Sequence, residues 1–242
     1  MKFENINVYN FENALRGMRN PKNSWHLSDS FFGFSTSNRT PVVPFEMNEE
    51  YGKYMYGNMI LREDKENNIY EYALVGPKDH DLAMRLIAAG NEHRKFLRQI
   101  FVSIDISAPL YWWKEADTYK VATVANSTST MHKITSAPIG LTSFEIDDFD
   151  LDVFDPMPIV SACENLRLKY LELKDSNPEQ AAKVWKELIR WLPESWIQTR
   201  TWTANYETLR SIYAQRKNHK LTEWHSFCKM IEHLPYSDFI TN

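Results

Sequence analysis

The sequence contains few cysteines and glycines and no long apolar run. Its two cysteines among 242 residues, Cys163 and Cys228, are too few for a disulfide scaffold or a cysteine zinc cluster, so we interpret them as packed thiols. Seven glycines, where average usage gives about 17, argue against a glycine-loop nucleotide fold. The longest apolar stretch, residues 100–113, is interrupted by Asp105 and Pro109 and is too short to cross a bilayer. The first residues also lack the apolar core of a signal peptide. We therefore expect a soluble, cytoplasmic protein with no membrane partner.

No sign of charge predominates. The sequence has 28 Lys and Arg against 32 Asp and Glu, which leaves a net charge of −4. A pI of about 6.0 provides no global attraction to nucleic acid, and we expect no nucleic-acid partner. Apolar residues at 43% and charged residues at 25% are ordinary for a globular chain. Aromatic residues are abundant at 14%, with eight tryptophans, which favours helices and aromatic-lined surfaces.

The chain divides by composition, although its length fits one domain. We predict a single domain over residues 1–242 with an N-terminal arm (1–50), a mixed α/β part (51–145) and a helical part (156–242). In the mixed part, β-prone runs predict strands over 69–75, 100–107 and 118–125. A helix is predicted over 79–98, with a possible break at Gly90 and one stripe formed by Leu82, Leu86, Ala89, His93 and Phe96. We interpret His93 on that stripe as a core histidine.

An acidic segment over 145–155 joins the two parts. Its oxygen-rich side chains could hold a hard cation, but it lacks the glycine turn and terminal Glu of a calcium loop. We therefore interpret it as a solvated connector and predict no metal site. Beyond it, helices are predicted over 161–175, 179–192, 204–219 and 222–233, the second of them capped by Asn177 and begun by Pro178.

The third of these helices has an unusual face. Asn205, Leu209, Ile212, Arg216 and His219 are spaced four, three, four and three residues apart and share one stripe. Because two of the five are apolar, the stripe is expected to face the interior, and a buried guanidinium then needs an anionic partner. That partner is either a protein carboxylate, with Glu223 and Glu232 available, or an anionic ligand. The rarity of unpaired buried arginine favours the carboxylate.

A second polar feature follows the third predicted strand. Residues 126–130 are five small hydroxyl or amide residues that could cradle a phosphate or a cofactor, or form an ordinary polar turn. Trp112, Trp113 and Tyr119 lie nearby in sequence and could stack on a flat ring, although aromatic residues at this density are more often core.

The order of these segments resembles the flavin-dependent thymidylate synthases. That family has a helix and a strand, then R-H-R-x-x-S, then N-E-x-S; here Thr118-Tyr119-Lys120 and Asn126-Ser127-Thr128-Ser129 stand at those places, so the R-H-R motif is degraded. The family then has a leucine-proline, a threonine-rich gap and N-x-R-x-L followed by an arginine. Here Leu192-Pro193, Thr199, Thr201, Thr203, Asn205 to Leu209 and Arg216 follow with the same spacing, with Glu207 at the inner arginine position.

The resemblance implies an α+β fold, with a curved mixed β-sheet, flanking helices and a helical C-terminal lobe. It implies FAD as cofactor, a pyrimidine deoxynucleotide converted as dUMP is to dTMP, a folate-type carbon donor and a homotetramer. Arg216 would be catalytic, opposite the pyrimidine ring, and Asn205 would contact the flavin. Further candidates for binding the cofactor are Asn126, Ser129, Lys120 and His219; the candidates for binding the substrate are Arg210, Ser127 and Thr128.

Three functions are consistent with these residues. The first is a divergent enzyme that passes a hydride from reduced flavin to a methylene group on the nucleotide, for which no nucleophilic cysteine is needed. The second is a module on the same fold that has lost flavin and binds a nucleotide or another protein, as the degraded R-H-R motif suggests. The third is a structural subunit whose aromatic surfaces are interfaces.

Overall fold

Alternating strands and helices make up the chain. The computed structural model describes residues 1–36, 60–147 and 149–242. Its strands are β1 (Lys2–Tyr9), β2 (Phe31–Ser35), β3 (Ile60–Asp64), β4 (Ile69–Leu74), β5 (Phe101–Pro109), β6 (Val124–Ser127) and β7 (Ile197–Asn205). Its helices are α1 (Phe11–Met18), α2 (Pro77–Ala88), α3 (Leu110–Ala116), α4 (Thr130–Lys133), α5 (Met157–Leu173), α6 (Pro178–Arg190), α7 (Tyr206–Arg216), α8 (Thr222–Glu232) and α9 (Asp238–Thr241). Residues 37–59 of the predicted arm and mixed part, and Asp148 of the acidic segment, lie outside the described residues.

The strands form two sheets. The first has the order β1-β5-β7-β6, and the second has the order β2-β4-β3. In the second sheet both pairings are antiparallel, with Phe31 opposite Leu74 and Asp64 opposite Ile69. In β5, Val102, Ile104 and Ile106 are buried, as the period of two along a strand requires when one face packs on a core. The predicted α+β class is therefore confirmed.

By contact density the chain consists of two compact units. Unit 1 comprises residues 1–2, 106–118 and 125–201, and unit 2 comprises residues 3–105, 119–124 and 202–242. The core of unit 1 contains Ile134, Ile139, Phe144, Val160, Cys163 and Leu188. The core of unit 2 includes an aromatic cluster in which Phe11 contacts Tyr206, Tyr236 and Phe239. The division into a single domain with three parts stays a prediction.

Residues 2–18, which were expected to belong to a surface arm, form β1 and α1. Val8, Phe11, Ala14 and Leu15 are all buried, so this segment contributes to the core of unit 2. The prediction was wrong because α1 is only eight residues long, too short for its apolar period to stand out in the sequence.

Three other boundaries differ from the predicted ones. Residues 197–205 form a strand and not part of a helical region, because β-branched threonines recur there at every second position, at Thr199, Thr201 and Thr203. The helix predicted over 79–98 ends at Ala88, and Gly90 follows with a φ of 105°, a conformation that glycine adopts at low cost. The strand predicted over 118–125 is reduced to β6, which begins at Val124.

Several smaller predictions can be compared with the structure. Cys163 and Cys228 are free and buried, which confirms the interpretation as packed thiols. Trp112 and Trp113 are core residues. Among the described residues, no helix is both long and apolar enough to cross a bilayer. No group of three or more His, Cys, Asp or Glu side chains in residues 1–36, 60–147 and 149–242 could hold a metal ion.

Candidate functional site

The stripe predicted on the third helix begins one residue before α7. Asn205 is the residue that caps the helix: its side-chain oxygen accepts from the backbone N–H of Thr208 at 2.9 Å. Its side-chain nitrogen donates to the carbonyl of Arg98 at 3.3 Å. Asn205 is buried, and both ends of its amide already contact unit 2 itself. Such a cap satisfies one of the unpaired N–H groups at a helix start.

Two arginine side chains, Arg94 from elsewhere in unit 2 and Arg210 from α7 itself, make hydrogen bonds around the first turns of α7. Glu207, at the position of the family's inner arginine, accepts two hydrogen bonds from Arg94, at 2.9 Å from Nε and 3.0 Å from Nη2. One turn further, Arg210 donates to the carbonyl of Ile240 at 3.1 Å. Burial, and after it the nearby charge of Arg94, lowers the pKa of the Arg210 guanidinium. The start of α7 is therefore occupied by contacts within the protein.

Arg216 lies at the other end of α7, in contact with two aromatic side chains. Its Nε donates to the hydroxyl of Tyr119 at 2.7 Å. Its guanidinium carbon lies 4.6 Å from the ring centre of Trp224 and 5.5 Å from that of Tyr119. The two rings meet edge to face, with 6.1 Å between their centres. We call Arg216, Tyr119 and Trp224 the aromatic corner.

The remaining predicted residues of unit 2 lie around this corner in sequence. His219 follows the end of α7, its ring 6.2 Å from that of Trp224, and its Nδ1 accepts from the N–H of Leu221 at 3.2 Å. Lys120 follows Tyr119 directly and is exposed. Along the stripe, Leu209 and Ile212 are buried, whereas Arg216 and His219 are half-buried. The helix thus presents its apolar stripe inward and its last cation at the margin.

The polar run over 126–130 belongs to unit 1. Asn126 and Ser127 lie on β6 and are exposed. The Thr128 hydroxyl donates to the carbonyl of Thr199 at 3.1 Å. The Ser129 hydroxyl caps α4 by accepting from the N–H of His132 at 3.2 Å. Two of the four predicted residues, Thr128 and Ser129, therefore use their hydroxyls to bond backbone groups of unit 1.

Unit 2 also contains a cavity of about 970 Å³ that the sequence did not reveal. Its wall includes the whole stripe of the helix predicted over 79–98, namely Leu82, Leu86, Ala89, His93 and Phe96. His93 is exposed, so its interpretation as a core histidine was wrong. None of the nine predicted site residues belongs to the lining found among the described residues. A histidine on an apolar stripe was the one signal that this stripe faces a space.

The charge at the cavity is mostly positive. Arg19 lines it and is buried against Asp79, with 2.5 Å between Nε and Oδ1. The same carboxylate accepts from the hydroxyls of Ser28 at 2.5 Å and Ser30 at 2.6 Å. Lys22 and Lys78 also line the cavity. Apolar walls beside the ammonium groups of Lys22 and Lys78 suit a flat apolar ligand that carries an anionic group.

Sequence comparison identifies no relative: no family model matches the chain, and no curated protein matches it. Solved structures do match. One is the flavin-dependent thymidylate synthase ThyX of Helicobacter pylori in complex with FAD and dUMP, with a TM-score of 0.62 and 15% identity over 100% of this chain and 97% of that one. The chain has the flavin-dependent thymidylate synthase fold. A second structure of Helicobacter pylori ThyX with FAD and dUMP gives a TM-score of 0.61 and 17% identity over the same shares. The fold predicted from the motif order is therefore confirmed.

Proposed function

We propose that this chain is a divergent, flavin-dependent thymidylate synthase-like enzyme that methylates a pyrimidine deoxynucleotide reductively. The observation that carries the proposal is the guanidinium of Arg216, half-buried in the aromatic corner, on a chain with the thymidylate synthase fold. The matched ThyX structures hold dUMP and FAD. Arg216 would meet the pyrimidine ring of dUMP.

The chemistry of Arg216 suits this role. A guanidinium keeps its charge at every physiological pH, and partial burial strengthens its attraction for an anion because the local dielectric is lower than that of water. Opposite a pyrimidine, it would stabilise the negative charge that develops on the ring during transfer of a methyl group. Ser127, Thr128 and Arg210 stay separate candidates for binding the nucleotide, each proposed from the resemblance to the family.

The cavity of unit 2 has the chemistry of a site for the second ligand, FAD, although its lining among the described residues contains none of the predicted cofactor-binding residues; those residues stay separate candidates, proposed from the resemblance to the family. FAD combines a flat, largely apolar ring with two phosphates, and the cavity combines apolar walls with Lys22 and Lys78. When bound, the flavin would supply the reducing equivalents. Lys120 is exposed and caps no helix among the described residues, so its ammonium group could meet a phosphate as a point charge. Asn126 and His219 are further proposed contacts, whereas Asn205 and Ser129 could contact FAD only through hydrogen-bonding capacity that their caps leave over.

The remaining parts of the proposal rest on resemblance to the family. They are a folate-type carbon donor, assembly as a homotetramer and a cytoplasmic location.

A second candidate function is a nucleotide-binding module on this fold that has lost flavin. It is favoured by two observations at positions that carry the family's motifs. The amide of Asn205 is bonded at both ends to the protein, and the hydroxyl of Thr118, at the first arginine position of R-H-R, donates to the carbonyl of Glu115 at 2.6 Å. Both side chains are therefore used for structure.

An absorbance spectrum of freshly purified protein, followed by thermal unfolding with FAD and with dUMP, separates the two functions. Bound flavin and stabilisation by both ligands support the enzyme. Stabilisation by dUMP alone supports the module without flavin. A colourless protein that responds to neither ligand would contradict both and would leave an interaction or structural role. Arg216→Ala is the matched control, because it should abolish stabilisation by dUMP while leaving any bound flavin in place.

A further inference from the structure

We propose that Tyr119 is a positioning residue that sets the plane and reach of the Arg216 guanidinium for an anionic ring. The inference rests on the proposed function, since it concerns how Arg216 meets its nucleotide. It adds a residue that directly follows Thr118 and directly precedes Lys120.

The hydroxyl of Tyr119 has a defined orientation. It accepts from Arg216 Nε at 2.7 Å and donates to the side-chain oxygen of Gln215 at 3.1 Å. Because the hydroxyl uses its one hydrogen for Gln215, a lone pair is left to receive Arg216. Both partners are consecutive residues in the last turn of α7, so one phenol fixes two side chains of that turn.

The segment around Tyr119 is itself tied to α7. The hydroxyl of Thr208, two turns earlier on the helix, donates to the carbonyl of Val121 at 3.1 Å. The hydroxyl of Thr123 makes a short hydrogen bond to the carbonyl of Tyr119, which closes the segment on itself. Residues 119–124 are therefore bonded to α7 near its start, through Thr208, and near its end, through Gln215 and Arg216. These bonds fix the position of the phenol relative to Arg216.

Trp224 supplies the second constraint. Its ring is buried, and its centre lies 4.6 Å from the guanidinium carbon. A planar cation over an indole face is attracted by the ring quadrupole and loses freedom to rotate about its last bonds. An arginine that is already ordered pays less entropy when it binds a ligand.

The test is a comparison of two tyrosine hydroxyls, that of Tyr119 in the segment 119–124 and that of Tyr213 on α7. Tyr119→Phe removes the acceptor and keeps the ring. Tyr213→Phe is the matched control, because Tyr213 is on α7 and its hydroxyl donates to Glu232 at 2.8 Å. Measured by calorimetry with dUMP, Tyr119→Phe should weaken binding by about 5- to 20-fold, as expected for loss of a hydrogen bond to a charged group. Tyr213→Phe should change the dissociation constant by less than about twofold.

A double-mutant cycle distinguishes positioning from a general structural effect. On an Arg216→Ala background, Tyr119→Phe should have no further effect on dUMP binding, because its action passes through Arg216. Equal losses on both backgrounds, equal losses in the two tyrosine variants, or wild-type affinity in Tyr119→Phe would each overturn the inference while leaving the proposed function intact. If the wild-type protein binds no dUMP, both the proposed function and the positioning role are wrong.

Discussion

Two arginines of unit 2, Arg19 and Arg216, are contacted by different kinds of side chain. Arg19 is 5% exposed and bonded to Asp79, which is fully buried and also accepts from two serines. Arg216 is half-buried and is held by a phenol and an indole. In the first region, a carboxylate with its lone pairs filled neutralises the cation. In the second, the phenol and the indole ring orient the cation.

The comparison separates an arginine that is paired with a carboxylate inside the protein from the arginine that is proposed to bind a ligand. A buried ion pair is costly to break, because the remaining charge has no solvent and no partner. Arg216 is only half-buried, so its removal should cost less to folding. The two regions should therefore respond differently to mutation: changes around Arg19 should affect stability, and changes at Arg216 should affect binding.

The largest effect is expected at Asp79. Asp79→Asn leaves Arg19 buried beside a neutral amide, and the free energy of unfolding should fall by about 3–5 kcal/mol in urea titrations. Asp81→Asn is the control on the same helix, because its pair with Arg85 is exposed on both sides and should contribute less than about 0.5 kcal/mol. Similar losses in the two variants would show that the network around Arg19 is no more than a surface pair.

The next effect concerns binding by Arg216. Arg216→Ala should weaken dUMP binding by at least about tenfold and change the free energy of unfolding by less than about 1 kcal/mol. Arg216→Lys keeps the charge and should still bind weakly, because an ammonium cannot reproduce the planar stacking on Trp224. A large loss of stability in Arg216→Ala with unchanged affinity would reverse the assignment of the two arginines.

A smaller effect on stability is expected at the start of α7. Asn205→Ala removes the cap and the bond to the Arg98 carbonyl, and should cost about 1–2 kcal/mol in urea unfolding. Asn177→Ala removes the equivalent cap of α6, where the side chain accepts from the N–H of Gln180 at 3.2 Å, and should cost about 1 kcal/mol or less because the site is exposed. If Asn205→Ala instead releases bound flavin without loss of stability, Asn205 acts as a cofactor ligand.

The smallest effect is a pH dependence on the same helix. The hydrogen bond to Glu232 raises the pKa of Tyr213 to about 12 from the ordinary value of 10.0. The folded state then holds the phenolic proton more tightly than the unfolded state does, so this contribution is present below pH 10 and is lost as the pH rises from about 10 to 12. Glu232→Gln should bring the phenol's absorbance titration back toward 10. An unchanged titration in that variant would exclude Glu232 as the cause.

Much of the fold could be predicted because its signals are local. The strand over 100–107 and the helices of the C-terminal half follow from period two and period 3.6, and the cap at Asn177 followed by Pro178 predicts the start of α6 within a residue. The strand β7 was missed because its threonines were interpreted as a polar gap, although threonine is β-branched and suits a strand. The helix α1 was missed because eight residues carry little periodic signal.

The candidate site was less accessible from the sequence. Spacing predicted that Asn205 and Arg216 share one face of a helix. It could not show that the Asn205 amide is bonded within the protein, or that the Arg216 guanidinium lies against two aromatic rings. The stripe over residues 82–96 was interpreted as core, since an apolar stripe that packs on a core and one that lines a cavity have the same period. Tyr119 meets Arg216 across 97 positions of sequence, and such a contact has no local signal.

The short connection over residues 119–124 offers a handle for redesign. Within it Ala122 adopts a φ of 57°, which a side chain with a Cβ rarely tolerates. The phenol of Tyr119 lies in this loop and not on α7. Substitutions in the loop should therefore change the position of the Arg216 guanidinium, and with it the ligand ring that it prefers, without altering the helices and sheets. Selectivity for a base could thus evolve independently of folding.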